Sequence, residues 1–534
     1  MKKIVIFLVL SLFCFLTVVF TVGCTGSDNT NTDTFTMYLP SEPTNLDPAR
    51  GVDVHEAKVQ SKIFDGLVKY NSKMQLVGSL ADNWQISEDG TVYKFNLKKN
   101  VIFHDGTPFT AKDAVFSLKR LLSPSVASPR RWVLDKVAEN GINAIDDYTL
   151  VIKLTEPFAP FMCLLTMPSC YILPATKLEN SDEAKVTAFF EKPCGTGAFM
   201  VSQRVRDSHI VLDANEKYHD KKPQIKQLII RVIPENMKAE MEFESGSIDM
   251  LALGTSNYAK YKAQEKYKDK IVDVAALNVY YVGFNNRVGP FNDVRVRQAL
   301  NMLIDRDSII KSVYSGRAIA AKGSIPPGIG GYDPNLKGYT YDLENAKKLL
   351  NEAGFCCGSD KNGENGLKTL EFDLYHRAQQ DTFEICRFIQ GELKKAGVVA
   401  NLKSMEWSAL KDAINKGEAP VFFMNWFADY PDAENFLYPV FHSKNLGAGG
   451  NRAGFINPEV DKMLDECVKI TDTAKREATY AEINAKVVEQ APWIYLWHSS
   501  ESFLLGNRVK NMEFSPVYFC DNGSDIQLSI SNNN

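Results

Sequence analysis

The spacing of apolar side chains predicts both strands and helices early in the chain. Residues 91–99, TVYKFNLKK, largely alternate apolar or aromatic with polar positions, which is typical of a strand with one buried face. Residues 103–122 start with a turn and continue as a helix that Thr110 can cap, with Asp113 at the spacing of a capping box. We therefore expect a chain that mixes α and β structure.

Residues 341–405 predict a strand–helix–strand unit. A strand over 370–375 alternates apolar and polar positions, a helix over 381–397 opens at Asp381 and ends at a glycine, and a second strand covers 398–405. A helix between two strands is the repeating unit of a parallel sheet, so this part of the chain predicts an α/β lobe.

Residues 293–310 predict one amphipathic helix. Val294, Ala299 and Leu300 fall on its inward face. We expect its arginines on a solvated face or in ion pairs within the lobe, and not in a binding site.

Two charged residues follow strands of the predicted lobe. The segment 421–427, VFFMNWF, is typical of a buried strand, and Asp429 comes just after it. Arg377 lies in the predicted loop after the strand at 370–375. Ligands of open α/β sheets collect beyond the carboxyl ends of the strands. The pair could hold a zwitterion end to end, and the alternative is that each residue makes a surface salt bridge.

The N-terminus has the pattern of an export signal. Two lysines precede an apolar run over residues 4–23, which predicts a signal at 1–23 and a flexible polar tether at 24–34. The Gly-Cys junction at Cys24 resembles a bacterial lipoprotein cleavage site, where the sulfur receives a diacylglycerol. Thr21 departs from that pattern, which usually has Leu there. The run is also long enough to cross a bilayer, so a retained helix is the alternative.

Length and charge limit the possible functions. A chain of 534 residues exceeds one hydrophobic core, so two or three domains are expected. The formal net charge of −4 argues against a nucleic-acid-binding protein, which would be strongly basic.

The cysteines leave two alternatives. The chain has 10 cysteines, of which Cys14 lies in the apolar run and Cys24 at the junction. Cys163, Cys170 and Cys194 could contribute a disulfide in an exported protein. Buried free thiols are the alternative, and no pair has the CxxC spacing of a metal site.

No motif for catalysis or for a cofactor stands out. Gly195 and Gly197 lack the third glycine of a dinucleotide fingerprint, and no P-loop lysine follows them. His55 and Glu56 lack the second histidine of a zinc-protease motif. The nucleophile elbow GxSxG is absent from the sequence, and its 7 histidines are scattered. We therefore predict no catalytic residue, no metal site and no cofactor.

Longer segments in order along the chain carry a resemblance. They are EPTNLDPA (42–49), IFDGLVKY (63–70), the segment 80–117, PCGTGAFMV (193–201), ESGSIDM (244–250), the segment 282–310, ADYPDAENF (428–436) and NPEVDKML (457–464). Together they closely resemble the extracellular solute-binding proteins of peptide ABC transporters, the oligopeptide- and dipeptide-binding family. The resemblance covers roughly residues 35–520.

The resemblance implies a periplasmic-binding-protein-like α/β fold. Two α/β lobes would be joined by a two-segment hinge, with strands near 276–285 and 492–500, and would close over a ligand between them. An extra domain would sit on lobe one. The implied bounds are 35–60, 185–275 and 490–520 for lobe one, 61–184 for the extra domain and 276–489 for lobe two.

The resemblance also implies a function and a site. The protein would be no enzyme but a monomeric, lipid-anchored carrier on the outer face of the cell membrane that captures peptides and delivers them to an ABC permease. Asp429 would receive the ligand α-ammonium. Arg377 lies near the position where dipeptide-binding relatives hold the ligand carboxylate. Trp426 and Trp407 would line side-chain pockets and Tyr281 would face the cleft, with burial in the core as the alternative for all three.

Other functions stay open at this point. Relatives with the same segments carry nickel complexes, glycans or opines, and a receptor that presents a signalling peptide to a sensor would need the same pocket. An exported hydrolase is disfavoured, because no nucleophile, metal or paired-carboxylate motif is found. Asp429 favours a ligand that carries an amine.

Overall fold

A computed structural model describes residues 33–356, 367–517 and 521–529. The predicted signal at 1–23, the lipidation site Cys24 and most of the tether lie outside these residues. The first strand begins at Thr34, which the sequence had assigned to the tether. Within the described part of the chain, none of the helices combines the length and apolar character that a membrane crossing requires.

The strands and helices are numbered here in chain order. The strands are β1 (Thr34–Leu39), β2 (Val68–Tyr70), β3 (Leu76–Gly78), β4 (Ala81–Ile86), β5 (Val92–Leu97), β6 (Val137–Asp146), β7 (Thr149–Leu154), β8 (Phe199–Val205), β9 (His209–Ala214), β10 (Gln227–Val232), β11 (Met250–Leu253), β12 (Ile271–Ala275), β13 (Asn278–Phe284), β14 (Ala318–Ala320), β15 (Phe355–Cys356), β16 (Lys368–Thr369), β17 (Glu371–Arg377), β18 (Val399–Met405), β19 (Val421–Phe427), β20 (Trp493–Leu505), β21 (Val509–Asn511) and β22 (Gln527–Leu528). The helices are α1 (Val54–Ile63), α2 (Ala111–Leu122), α3 (Phe161–Leu164), α4 (Ala175–Leu178), α5 (Glu183–Glu191), α6 (Asn236–Glu244), α7 (Thr255–Lys262), α8 (Val294–Met302), α9 (Arg306–Val313), α10 (Leu343–Glu352), α11 (Gln380–Lys394), α12 (Trp407–Lys416), α13 (Ala433–Phe441), α14 (Pro458–Cys467) and α15 (Thr473–Glu489).

The first layer is a four-stranded sheet in the order β1-β10-β9-β8. Strands β1 and β10 are parallel, and the other pairs are antiparallel. Helix α1 begins at its N-cap Asp53, whose side chain accepts a hydrogen bond from the backbone N–H of His55 at 2.6 Å. Val59 and Ile63 of this helix pack with Phe35 and Leu228 of the sheet in one buried core.

A second unit is built on the antiparallel sheet β4-β5-β7-β6. Helix α2 covers this sheet, and Leu118 packs with Phe95 and Ile152 in a common core. The predicted cap of α2 is confirmed, because the backbone N–H of Thr110 donates to the Asp113 carboxylate at 2.8 Å. The predicted strand over 91–99 is also confirmed, as β5.

The third unit is an eight-stranded sheet. Six of its strands lie in the order β11-β20-β13-β19-β17-β18, and β12 and β14 also pair with β20. Strand β20 pairs with β13 along its first half and with β11 and β12 along its second half. Strands β12 and β13 are separated only by residues 276–277. The chain therefore passes twice between two halves of the molecule, one that contains β11 and β12 and one that contains β17, β18 and β19. This agrees with the predicted two-segment hinge.

Buried polar contacts join the two crossings. The Asn278 side-chain amide donates to Ser499 Oγ at 2.8 Å. The Nδ1 atom of His498 lies 2.7 Å from the carbonyl oxygen of Asn278, and burial lowers the pKa of His498 to about 4. The neutral imidazole therefore links β13 and β20 at the point where both strands cross between the two halves.

The predicted strand–helix–strand unit is confirmed, with two corrections to its bounds. Strands β17 and β18 are parallel and pair in register up to Arg377 and Met405. This ladder extends β17 by two residues beyond the prediction, so Arg377 is the last strand residue and not a loop residue. Helix α11 begins at Gln380, so the prediction that Asp381 opens the helix is wrong by one residue.

The predicted helix over 293–310 is interrupted. It forms two helices, because α8 ends at Met302 and α9 begins at Arg306, with residues 303–305 between them. Arg295 is exposed and pairs with Asp293 at 2.6 Å, as predicted for a solvated face. Arg297 and Arg306 are instead buried and donate to backbone carbonyl oxygens, so the prediction was wrong for these two.

The hydrophobic clusters give a coarse division of the chain. One core is drawn mainly from residues 35–64 and 173–274, a second from 49–172, and two more from 277–497. These ranges do not fix where one unit ends and the next begins, so the domain boundaries stay predictions.

The cysteines of the described residues are free thiols. Cys163 and Cys170 are buried, and Cys194 is half-buried. The structure therefore agrees with buried thiols and not with a disulfide among these three. Burial raises the pKa of the Cys170 thiol to about 12, so this group stays protonated.

Candidate functional site

Three parallel strands bring four of the five predicted residues to one sheet edge. Strand β17 is parallel to both β18 and β19. It ends at Arg377, β18 is followed by Trp407 at the start of α12, and β19 ends one residue beyond Trp426, shortly before Asp429. The carboxyl ends of parallel strands share one edge, where ligands of such sheets bind.

Arg377 and Trp407 contact each other at this edge. The Arg377 guanidinium lies 5.6 Å from the centre of the Trp407 ring, and Lys411 Nζ lies 5.2 Å from it. Cation–π contacts at such exposed positions are worth about 0.5–1 kcal/mol. The exposed Arg377 guanidinium therefore lies beside the Trp407 ring and is able to bind an anion.

Asn435 of α13 fixes the loop that carries Asp429. Its side-chain oxygen accepts a hydrogen bond from the Asp429 backbone N–H at 3.0 Å and one from Trp426 Nε1 at 3.3 Å. Asn435 is buried. One amide therefore sets the orientation of both predicted residues, and sequence reasoning missed it because nothing in the strand pattern marks a residue on the following helix.

Asp429 and Trp426 line a cavity of about 680 Å³. Its wall on one side comes from residues 426–469, and on the other side from residues 132–164 of the second unit. Trp132 is a further aromatic residue that lines this cavity. Ligand cavities commonly have volumes of about 300–1,000 Å³, so a small organic molecule or a short peptide fits.

Arg130 reaches Asp429 from the opposite side of the cleft. Its Nη1 atom lies 3.2 Å from Asp429 Oδ1, and its Nη2 donates to the carbonyl oxygen of Val52 at 3.3 Å. The two paired residues are 299 positions apart in the chain. No local pattern could have revealed this pair, and it supplies a positive charge for the carboxylate after β19.

Burial and charge act in opposite directions on Asp429. Its partial burial raises the pKa of the carboxyl, and the charge and hydrogen bond of Arg130 oppose this rise. Glu434 is fully buried nearby, and burial raises its pKa to about 8, with a contribution from the charges of Asp432 and Asp429. At neutral pH the wall of the cavity therefore carries the Asp429–Arg130 pair beside a largely neutral Glu434.

The loop after Asp429 docks into the second unit. Tyr430 is buried within the hydrophobic core of that unit, and its ring centre lies 6.2 Å from that of Trp132. Farther along, the Ala159 backbone N–H donates to the Val468 carbonyl oxygen at 2.7 Å. These contacts hold Asp429 between the two walls of the cavity.

Tyr281 lies inside the core and not at the cleft. Its side chain has no exposed surface, and its ring stacks on Trp493 with centroids 3.6 Å apart. Alternation along β13 instead turns Tyr280 to the other face, where it stacks on Trp497. This placement corrects the expectation that Tyr281 faces the cleft, because a fully buried ring offers no surface to a ligand.

Across residues 33–356, 367–517 and 521–529, no group of three or more His, Cys, Asp or Glu side chains could hold a metal ion. The charged side chains that line the cavity are carboxylates and lysines, among them Asp429, Lys136 and Lys444.

The sequence profile of the bacterial extracellular solute-binding proteins, family 5 Middle, matches residues 75–448. The chain belongs to this family. The resemblance inferred from the sequence segments is thereby confirmed at the level of the family.

Curated relatives of this solute-binding protein match it along most of its length. Heme-binding protein A of Haemophilus influenzae is 30% identical over 513 residues, which cover 92% of either chain. The dipeptide-binding protein of Escherichia coli is 28% identical over 483 residues, with 85% of this chain and 87% of the relative covered.

Solved structures share its fold. HbpA2 from Haemophilus parasuis matches with a TM-score of 0.82 at 26% identity, over 93% of this chain and 100% of that one. The oligopeptide-binding protein AppA from Bacillus subtilis, in complex with a nonapeptide, matches with a TM-score of 0.73 at 26% identity, over 93% and 99%. These neighbours support the predicted two-lobe α/β fold.

Proposed function

We propose that this solute-binding protein captures peptides in the cavity beside Asp429 and delivers them to the permease of an ABC importer. The observation that carries the proposal is the half-buried carboxylate that follows β19 on the cavity wall. A carboxylate held there attracts a ligand cation, and a peptide presents one in its α-ammonium. Relatives named as dipeptide- and oligopeptide-binding proteins support this choice of ligand.

The other predicted residues have proposed roles at the same edge. Arg377, stacked near Trp407, would bind the ligand carboxylate, because its guanidinium is exposed and has an aromatic support. Trp426 would line the pocket of a ligand side chain, since its ring borders the cavity. A fixed arginine of this kind would favour short peptides, and equal affinity for di- through pentapeptides would remove Arg377 from the role.

Replacing Asp429 tests the ammonium contact. The Asp429 side chain is 35% exposed, so the contact should be worth less than a fully buried ion pair. A hydrogen bond to a charged group contributes about 1.5–3 kcal/mol, and the low end applies to this part-exposed pair, so Asp429→Asn should weaken peptide binding by roughly tenfold in calorimetry. Asp412→Asn, which alters an exposed carboxylate of α12 paired with Lys416, is the matched control. Unchanged affinity in Asp429→Asn would reject the contact.

Mass spectrometry of the ligand that co-purifies with the protein tests the proposed cargo. A mixture of peptides is the expected result. A porphyrin, a nickel complex, a glycan or an opine would replace the peptide proposal with another cargo on the same fold. Such alternatives deserve the test because one 30% identical relative is named a heme-binding protein.

The place of the protein in the cell is part of the proposal. Membership in an extracellular family supports export, and we propose that the signal at 1–23 is removed and that Cys24 carries the lipid that anchors a monomer to the membrane. Cys24→Ala should move the protein from the membrane fraction to the medium or periplasm. Retention of the variant in the membrane would favour the uncleaved helix.

A further inference from the structure

The guanidinium of Arg130 is held on one half of the molecule and aimed at the other. Its backbone N–H donates to Ser128 Oγ at 3.1 Å, and its Nη2 donates to the Val52 carbonyl oxygen at 3.3 Å. Its Nη1 then points across the cleft to Asp429, 3.2 Å away. The chain itself thus places a cation where the proposed ligand would place its ammonium.

The contact between Arg130 and Asp429 has the features of an exchangeable ion pair. The distance of 3.2 Å is longer than the usual 2.7–2.9 Å of a strong charge-assisted bond. The two side chains are 22% and 35% exposed, so water screens their attraction. An incoming ammonium can replace this guanidinium with little loss of stability, since exposed ion pairs contribute little.

The surroundings of Asp429 make a nearby cation important in every state. The carboxyl is partly buried, and burial alone raises its pKa. Glu434 lies close enough for its own pKa to respond to the charge of Asp429. A ligand that covers the carboxylate without bringing a cation would therefore bind poorly if the site had no cation of its own.

We propose that Arg130 is an internal substitute for the ligand ammonium, so that the cleft accepts peptides with a free amino terminus and peptides whose amino terminus is blocked. A free peptide displaces the guanidinium and pairs its ammonium with Asp429. A blocked peptide leaves the Arg130–Asp429 pair in place and binds beside it. This inference rests on the proposed function and extends its ligand class to acylated peptides.

Paired peptide libraries test whether Arg130 substitutes for the ligand ammonium. An equimolar tripeptide library and its N-acetylated copy are incubated with the protein, and captured peptides are quantified by mass spectrometry. The wild-type protein should prefer the free peptides by no more than about tenfold, because an exposed ion pair is being exchanged for another. In Arg130→Met, blocked peptides lose the substitute cation, and the preference should rise to about 100-fold or more.

Two variants serve as references. Arg131→Met removes the neighbouring exposed arginine and should keep the wild-type ratio of free to blocked peptides. Asp429→Asn removes the carboxylate and should bring the ratio close to one. Thermal unfolding verifies that each variant is folded, and Arg130→Gln replaces Arg130→Met if the latter is not.

The outcomes separate the inference from the function on which it rests. The role of Arg130 as a substitute for the ligand ammonium would be overturned by a wild-type preference of about 100-fold for free peptides. It would also be overturned if the Arg130 variant kept the wild-type ratio of free to blocked peptides. Either result would leave peptide binding intact. Weaker binding of free peptides to Arg130→Met would also overturn this role, because the arginine would then be a ligand contact. Capture from neither library by the wild-type protein would overturn peptide binding, and this inference with it.

Discussion

Glu434 explains how the wall of the cavity carries several acids at once. The hydroxyl of Tyr430 donates a hydrogen bond to its carboxyl group. Burial raises the pKa of Glu434 to about 8, and the neighbouring charges of Asp432 and Asp429 act in the same direction. A neutral acid behind the loop leaves charge recognition to Asp429.

Glu434→Gln should change how the stability of the protein depends on pH. The folded protein holds the Glu434 proton more tightly than the unfolded chain, whose glutamates titrate near 4.5. This contribution is complete below the unfolded pKa and is lost as pH rises through about 8. Urea unfolding at pH 5, 6.5 and 8 should therefore show wild type losing stability relative to Glu434→Gln. A constant difference across these pH values would contradict the raised pKa.

The sequence identified some of these residues and could not identify others. Asp429 and Trp426 could be found because they sit at the end of a recognisable strand. Tyr281 was placed on the wrong face because both faces of β13 are buried, so hydrophobic alternation cannot tell them apart. Arg130 could not be found, because its partner is distant in the chain and pairing depends on how the two halves meet.

The junction between α8 and α9 shows why one amphipathic pattern became two helices. Arg306 is buried, and its guanidinium donates to the carbonyl oxygens of Asn301 and Tyr339 at 3.2 Å each. The carbonyl groups at the end of a helix lack partners within the helix, and a donor there satisfies them. Burial lowers the pKa of Arg306 to about 10, which leaves it charged at neutral pH.

Arg306→Met should destabilise the protein severely. The substitution leaves several buried carbonyl oxygens without their donor, and breaking such a network costs about 3–5 kcal/mol in the free energy of unfolding. Urea unfolding measures the loss. The control is Arg295→Met on α8, whose exposed pair with Asp293 should contribute under about 1 kcal/mol. Equal losses in the two variants would show that the buried guanidinium has no special role.

Element types were more predictable than element ends. The strand over 421–427 is found with the predicted bounds, because its run of large apolar residues is buried from the start. The end of β17 was misplaced, since the ladder to β18 continues through polar and charged side chains. Hydrogen bonding across strands decides such ends, and a single segment does not display it.

Tyr430 connects the two walls of the cavity. It belongs by sequence to the segment that follows β19, and it is buried among side chains of the second unit. Its neighbour Asp432 pairs with Arg476 at 3.4 Å on its own side. The loop is thus held by the second unit through Tyr430 and by its own side of the cavity through Asp432, and the width of the cavity depends on this loop.

Tyr430→Ala should loosen the molecule as a whole. Removing a buried aromatic ring costs about 3–5 kcal/mol, partly because a cavity remains. We expect a lower free energy of unfolding together with a larger radius of gyration in small-angle scattering, because the two walls lose a shared anchor. Trp132→Ala, which removes a partly exposed ring from the same interface, should affect both quantities less. An unchanged radius would mean that other contacts hold the walls together.

The two-lobe fold could be predicted because many segments of the chain resemble one family in the right order, and residues 75–448 match that family's profile. The packing of one lobe against the other could not be predicted in this way. It depends on contacts such as those of Tyr430 and Arg130, which join segments that no local pattern relates.

Strand β20 has a consequence for biosynthesis. It pairs with four other strands of the eight-stranded sheet, and every other strand of that sheet precedes it in the chain. This sheet cannot complete its hydrogen-bonded ladders until the β20 segment has left the ribosome. The eight-stranded sheet of a nascent chain would therefore stay incomplete for most of its synthesis, which suits passage through a translocation pore that admits only unfolded polypeptide.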